Sequence, residues 1–119
     1  MPAKPAPTTV TAHLRGKEPN VAATYAELLR AARTLGPVRV EVKKISIHWC
    51  RATAFAGIAT QRAALILTLK SATDIGSPRI RKSEQASANR WHVEIRLASP
   101  RELDAELRGW IAAAYQLAG

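Results

Sequence analysis

Between Arg90 and Leu97 the chain alternates without a break. Trp91, Val93, Ile95 and Leu97 fall on one side, and Arg90, His92, Glu94 and Arg96 on the other. Side chains that switch sides at every residue define an extended strand with one buried and one wet face. Two residues later comes a helix start, Ser99-Pro100-Arg101-Glu102: a serine hydroxyl to cap free amides, proline at the first helical position, and Glu three residues after the cap. The helix predicted from Pro100 to Leu117 carries Leu103, Leu107, Trp110, Ile111 and Ala114 as one apolar stripe. A half-wet strand running straight into an amphipathic helix requires a folded domain in which the two apolar surfaces are buried.

The rest of the chain supplies partners for those surfaces. Val21, Tyr25, Leu28, Leu29, Ala32 and Leu35 recur at helical spacing, predicting a helix over Asn20 to Leu35, with Pro19 leaving its upstream limit open. Gly36-Pro37 stops it. The period then drops to two: Val38, Val40 and Val42 alternate with Arg39, Glu41 and Lys43, and Ile45, Ile47 and Trp49 with Ser46, His48 and Cys50. Phe55 to Ala59 and Ala64 to Lys70 read as further short strands, separated by polar breaks at Arg51–Thr53 and Thr60–Arg62. Connections this short join antiparallel neighbours. Ser71 to Asn89 reads as a long irregular loop anchored by Ile75 and Ile80. Residues 1–11, rich in proline and small residues, are expected to be a disordered tail, and 12–119 a single α+β domain. The architecture expected is an antiparallel sheet of four to five strands, with an N-terminal and a C-terminal helix packed on one face.

Charge distinguishes this chain from an average one. Its 18 Lys and Arg against 9 Asp and Glu give a net +9, and twelve of the basic residues lie between Arg39 and Arg101 with only four acidic ones. A field of this sign favours anionic partners such as nucleic acid, or serves solubility alone. Cys50 is the only cysteine, which excludes an intrachain disulfide and makes a reducing cytoplasm the default. No apolar run approaches the length needed to span a bilayer, so no membrane partner is expected.

The segments LLRAARTLGPVRVEVKKISIHW, FAGI, LILTLK, SPRIRKSEQAS, RWHVEIRLASPRELDAEL and WIAAAYQLAG follow one another in an order that resembles the bacterial family known as domain of unknown function 5655. The likeness runs over about residues 12 to 119. It implies a small α+β domain, standing alone or appended to others. Some relatives are joined to nuclease-like or restriction-associated regions, which implies a nucleic-acid context. The family offers no established catalytic residues to carry over.

Two groupings of residues could carry chemistry. If both helices cover the same side of the sheet, the other side gathers Lys43, His48, Arg90, His92 and Arg96, and the loop adds Arg79, Arg81 and Lys82. Guanidinium groups fork onto phosphates, and imidazoles add donors. The expectation is a non-enzymatic binding module for an anionic partner such as nucleic acid, these eight residues forming the site. The competing view is a solvated sheet face, with Arg79-Ile80-Arg81-Lys82 pairing with Glu84 or the acidic start of the last helix. A second grouping, His48, Cys50 and His92, has the nitrogen and sulfur donors of a zinc or copper site, or of a small-ligand site, whether enzymatic or not. It requires the two histidine strands to meet. Cys50 as a nucleophile lacks any accompanying motif, and no cofactor is called for. Strand order is not legible, nor whether the polar face is open, covered by the 71–89 segment or paired in a homodimer.

Overall fold

The structure, a computed structural model, describes residues 9–119. A short helix α1 (Val10–Leu14) is capped by Thr9, whose hydroxyl accepts from the Ala12 amide at 3.1 Å. Helix α2 (Pro19–Arg33) opens on its proline and buries Val21, Tyr25, Leu28 and Ala32. Its start is tied down by Asn20, whose side-chain amide donates to the carbonyls of Ala63 and Ala98. Beyond α2, Gly36 adopts φ 148°, and a Cβ there would run into the Tyr115 hydroxyl, so only glycine fits.

Six strands follow: β1 (Arg39–Val42), β2 (Ile47–Cys50), β3 (Ala54–Thr60), β4 (Leu65–Ser71), β5 (Lys82–Ser87) and β6 (Arg90–Leu97). They form one antiparallel sheet in the order β1-β2-β3-β4-β6-β5. Helix α3 (Ala105–Leu117) closes the chain. One face of the sheet, carrying Ile47, Trp49, Ile58, Leu67, Leu69, Val93, Ile95 and Leu97, shares a single core with Tyr25 and Leu28 of α2 and Leu107, Ile111 and Tyr115 of α3. At its centre the fully buried Trp49 donates its indole N–H to the Tyr25 hydroxyl at 3.2 Å. Phe55 is the extra residue of a bulge between β2 and β3, and packs edge-on against Tyr115 with ring centroids 5.3 Å apart.

The α+β class, the antiparallel sheet and the helices at both ends match expectation; the strand count does not. There are six strands rather than four or five, because the segment expected to be an irregular loop contains β5. Its sequence, KSEQAS, has no apolar alternation, and all six side chains are exposed. It is held by backbone pairing to β6 and not by burial. Ile45, expected inward with Ile47 and Trp49, is 81% exposed, because the Lys43 amide bonds the Ser46 carbonyl and leaves Lys44 and Ile45 as the tip of a hairpin.

The last helix also starts differently. The capping box at Ser99 and Glu102 is present, but it opens only a 3-10 turn over Pro100–Glu102. The chain leaves helical geometry at Leu103, and Asp104 caps α3 anew by accepting from the Leu107 amide at 3.0 Å. Leu107, Ile111 and Ala114 are buried as expected, and Leu103 and Trp110 pack at the margin of the core. Of the expected tail, residues 1–8 lie outside the described residues, while Val10 and Thr11 belong to α1.

Candidate anion-binding site on the open sheet face

Strand pairing fixes what the other face presents. Glu41, His48, Gly57, Thr68, Glu94 and Lys82 stand opposite one another in a single row across all six strands. In the next row Lys70 faces His92, which faces Glu84. Between these rows is a hollow of about 300 Å³ over β3, with Ser46, His48, Gly57, Ala59, Thr68, Lys70 and His92 among its lining. Small residues make it. A Cβ on Gly57 would sit 3.8 Å from the His48 ring and 4.0 Å from Thr68 Cβ, ordinary contact distances, so the glycine leaves the floor bare with those two side chains as walls. The Ser46 hydroxyl and His48 Nε2 are hydrogen-bonded at 3.2 Å, which fixes one wall. Lys70 Nζ donates to the Thr53 hydroxyl at 3.2 Å at the other end.

The hollow carries the formal positive charge of Lys70. Its ionisable lining residues are His48, Lys70 and His92, with no carboxylate among them. Nearby acids are partly engaged elsewhere: Glu41 pairs with Arg39 at 2.8 Å and Lys43 at 3.4 Å, and Glu84 lies 3.6 Å from Lys82. The Arg39 hydrogen bond, with Lys43 second, holds the Glu41 carboxyl below its ordinary pKa. Arg81, His92 and Arg96 are exposed and stand outside these pairs. Arg90 Nη1 donates to the Asn89 carbonyl at 2.8 Å.

Of the eight residues expected to bind an anion, Lys43, His48, Lys82, Arg90, His92 and Arg96 belong to strands of this face or their margins, and Arg81 immediately precedes β5. Only His48 and His92 line the hollow itself. Arg79 is turned away from this role. One of its nitrogens bonds both Asp104 oxygens at 2.8 and 3.0 Å and Glu106 at 3.2 Å, and the other donates to the Glu102 carbonyl. Its guanidinium also lies 5.7 Å from the Trp110 ring centroid. The acidic start of α3, one of the alternatives open in the sequence, takes this arginine. Lys70, Thr68 and Gly57 escaped the sequence reading, because nothing in an apolar strand or a lone glycine shows which face will be concave.

The His48, Cys50 and His92 grouping does not assemble. Strands β3 and β4 separate β2 from β6, a span of about 14 Å at the usual strand spacing. Cys50 is buried. Burial, followed by the charge of Glu41, raises its thiol pKa, which disfavours the thiolate that metal binding and attack both need. Among the described residues no three His, Cys, Asp or Glu side chains are grouped to hold a metal ion.

The profile of the family described as "Domain of unknown function (DUF5655)" matches residues 10–118, from the first turn of α1 to the end of α3. The chain belongs to that family. No curated protein and no solved structure matches it. Among the described residues of this DUF5655 domain, no helix is long and apolar enough to cross a membrane.

Proposed function

We propose that this DUF5655 domain is a non-enzymatic binding module that holds an anionic partner, nucleic acid foremost, on the open face of its sheet. The observation that carries the reading is the hollow whose ionisable lining is His48, Lys70 and His92 without a carboxylate. The Lys70 ammonium attracts phosphate, the imidazoles can add N–H donors, and the hydroxyls at Ser46 and Thr68 add neutral ones. Arg81, Arg90 and Arg96 surround it with further positive charge, and the net charge of +9 draws polyanions towards the molecule. The residues assigned to the site are Lys43, His48, Arg81, Lys82, Arg90, His92 and Arg96, joined by Lys70.

Fluorescence anisotropy with labelled single-stranded and duplex oligonucleotides at two salt concentrations tests this. Binding that persists near physiological salt, weakens with a slope of several released counterions, and drops about tenfold in a Lys70→Gln, His92→Ala double variant is the expected result. Affinity unchanged in that variant, or no binding above about 50 mM salt, would remove the open face from the function and reduce the charge to a solubility device.

A further inference from the structure

The hollow is built for more than a bare anion. Its lysine is at one end, where Lys70 and His92 face each other, while the floor along β3 includes glycine and alanine carbon. Inorganic phosphate would use the charged end and leave the floor wet. The opposite end has a different shape. His48, Gly57 and Thr68 are successive neighbours in one row, and Gly57 has no side chain, so an imidazole and a threonine face each other across a gap. The two walls stand two strand spacings apart, about 9.5 Å between strand axes. A flat ring set into this gap meets the His48 imidazole on one side and the Thr68 side chain on the other. The hydrogen-bonded Ser46–His48 pair lies beside its polar edge. From Thr68 to Lys70 is one step along the same face of β4, about 6.6 Å, which spaces the ring slot from the charged end by roughly the width of a sugar.

We propose that the hollow takes a single nucleotide unit, its base in the Gly57 slot between His48 and Thr68 and its phosphate between Lys70 and His92. This rests on the anion-binding reading and narrows it from a polyanion to a ring-bearing phosphate monoester. The unit can be a free mononucleotide or the terminal nucleotide of a strand, and the chemistry recognised is the same.

Calorimetric titration of the full chain with adenosine 5′-monophosphate, adenosine and inorganic phosphate tests the two halves of the slot. The monophosphate is expected to saturate one site, with adenosine and phosphate each at least tenfold weaker. Lys70→Gln should lower monophosphate affinity about tenfold, the size of one lost charge-assisted contact, and leave adenosine unchanged. Gly57→Leu should abolish monophosphate binding. Gly57→Ala, whose new methyl meets only ordinary contacts, keeps the fold intact and should weaken binding several-fold. Phosphate binding as tightly as the monophosphate, or Gly57→Ala and Gly57→Leu both binding normally, overturns the proposal, as does absence of monophosphate binding. A single-stranded oligonucleotide with a 5′-phosphate, competed against the same strand lacking it, separates a strand end from a free nucleotide. Oligonucleotide binding that survives Gly57→Leu leaves the open face as an anion site and removes the slot. Failure of the wild-type chain to bind either an oligonucleotide or the monophosphate removes both.

Discussion

Arg79 and Asp104 form a two-oxygen contact, with one guanidinium nitrogen 2.8 and 3.0 Å from the two carboxylate oxygens. The pair joins the segment before β5 to the cap of α3. Because the same arginine also reaches Glu106, the Glu102 carbonyl and the Trp110 ring, its charge is committed to the fold. Arg79→Gln is therefore expected to lower stability by about 1–2 kcal/mol, a melting-temperature drop on the order of 5 °C. Oligonucleotide affinity should stay within about twofold, below half a kcal/mol. Thermal melts alongside anisotropy check both; a large loss of affinity with unchanged stability would place Arg79 in the binding site instead.

Acid should release the same clamp. The Leu107 amide first, and Arg79 second, hold the Asp104 carboxyl below its ordinary value of 3.8. The unfolded chain thus takes up this proton before the folded one, so the contribution is complete above that value and is lost as pH falls through the depressed folded one. Wild-type protein should lose stability more steeply than Asp104→Asn in that acid window. Parallel melts from pH 5 downward would show it, and identical slopes would argue against the clamp.

Tyr25 and Trp49 make a second test of the core. Burial raises the Tyr25 phenol above its ordinary pKa, so it stays protonated while accepting the indole N–H. Tyr25→Phe strands that donor in an interior with no access to water, which costs about 1–3 kcal/mol. Urea unfolding followed by tryptophan fluorescence should show a lower midpoint with the slope unchanged. An unaltered midpoint would mean that the indole finds another acceptor.

Glu94 gives a binding prediction of opposite sign. It stands in the same row as His48, Gly57 and Thr68, directly opposite Thr68 on β6 and two residues from His92. As a nearby negative charge it opposes an anion bound there. Glu94→Gln should tighten oligonucleotide binding about two- to threefold at low salt, fading as salt screens the interaction. Weaker binding in this variant would show that Glu94 positions the site and does not repel its ligand.

The sequence made the buried parts of this fold legible and left the wet parts largely hidden. Val93, Ile95 and Leu97 announced β6 because burial imposes alternation, and the helical stripes of α2 and α3 were readable for the same reason. Strand β5 contains only polar residues and alanine, so no periodicity marks it; backbone pairing alone makes it a strand. The break at Leu103 was hidden because Ser99 and Asp104 are both sound caps, and only the position of Arg79 shows why the second one starts the helix. For the site, the alternation assigned His48 and His92 to the polar face. It could not say that two strands lie between them, since adjacency in an antiparallel sheet depends on long-range pairing. Lys70 looked like the end of an apolar strand, and its place opposite His92 follows only from that pairing.

Strand β5 has a consequence of its own. None of its six side chains enters the core, and its only strand neighbour is β6. Peeling it away exposes almost no oil to water, so the hairpin can open and close while the five remaining strands keep both long helices covered. Amide exchange should therefore divide the sheet, fast through local opening at residues 82–87 and slow, limited by unfolding of the whole domain, in β4. A protease meets that flap as its first substrate, and the cut product would still be a folded sheet.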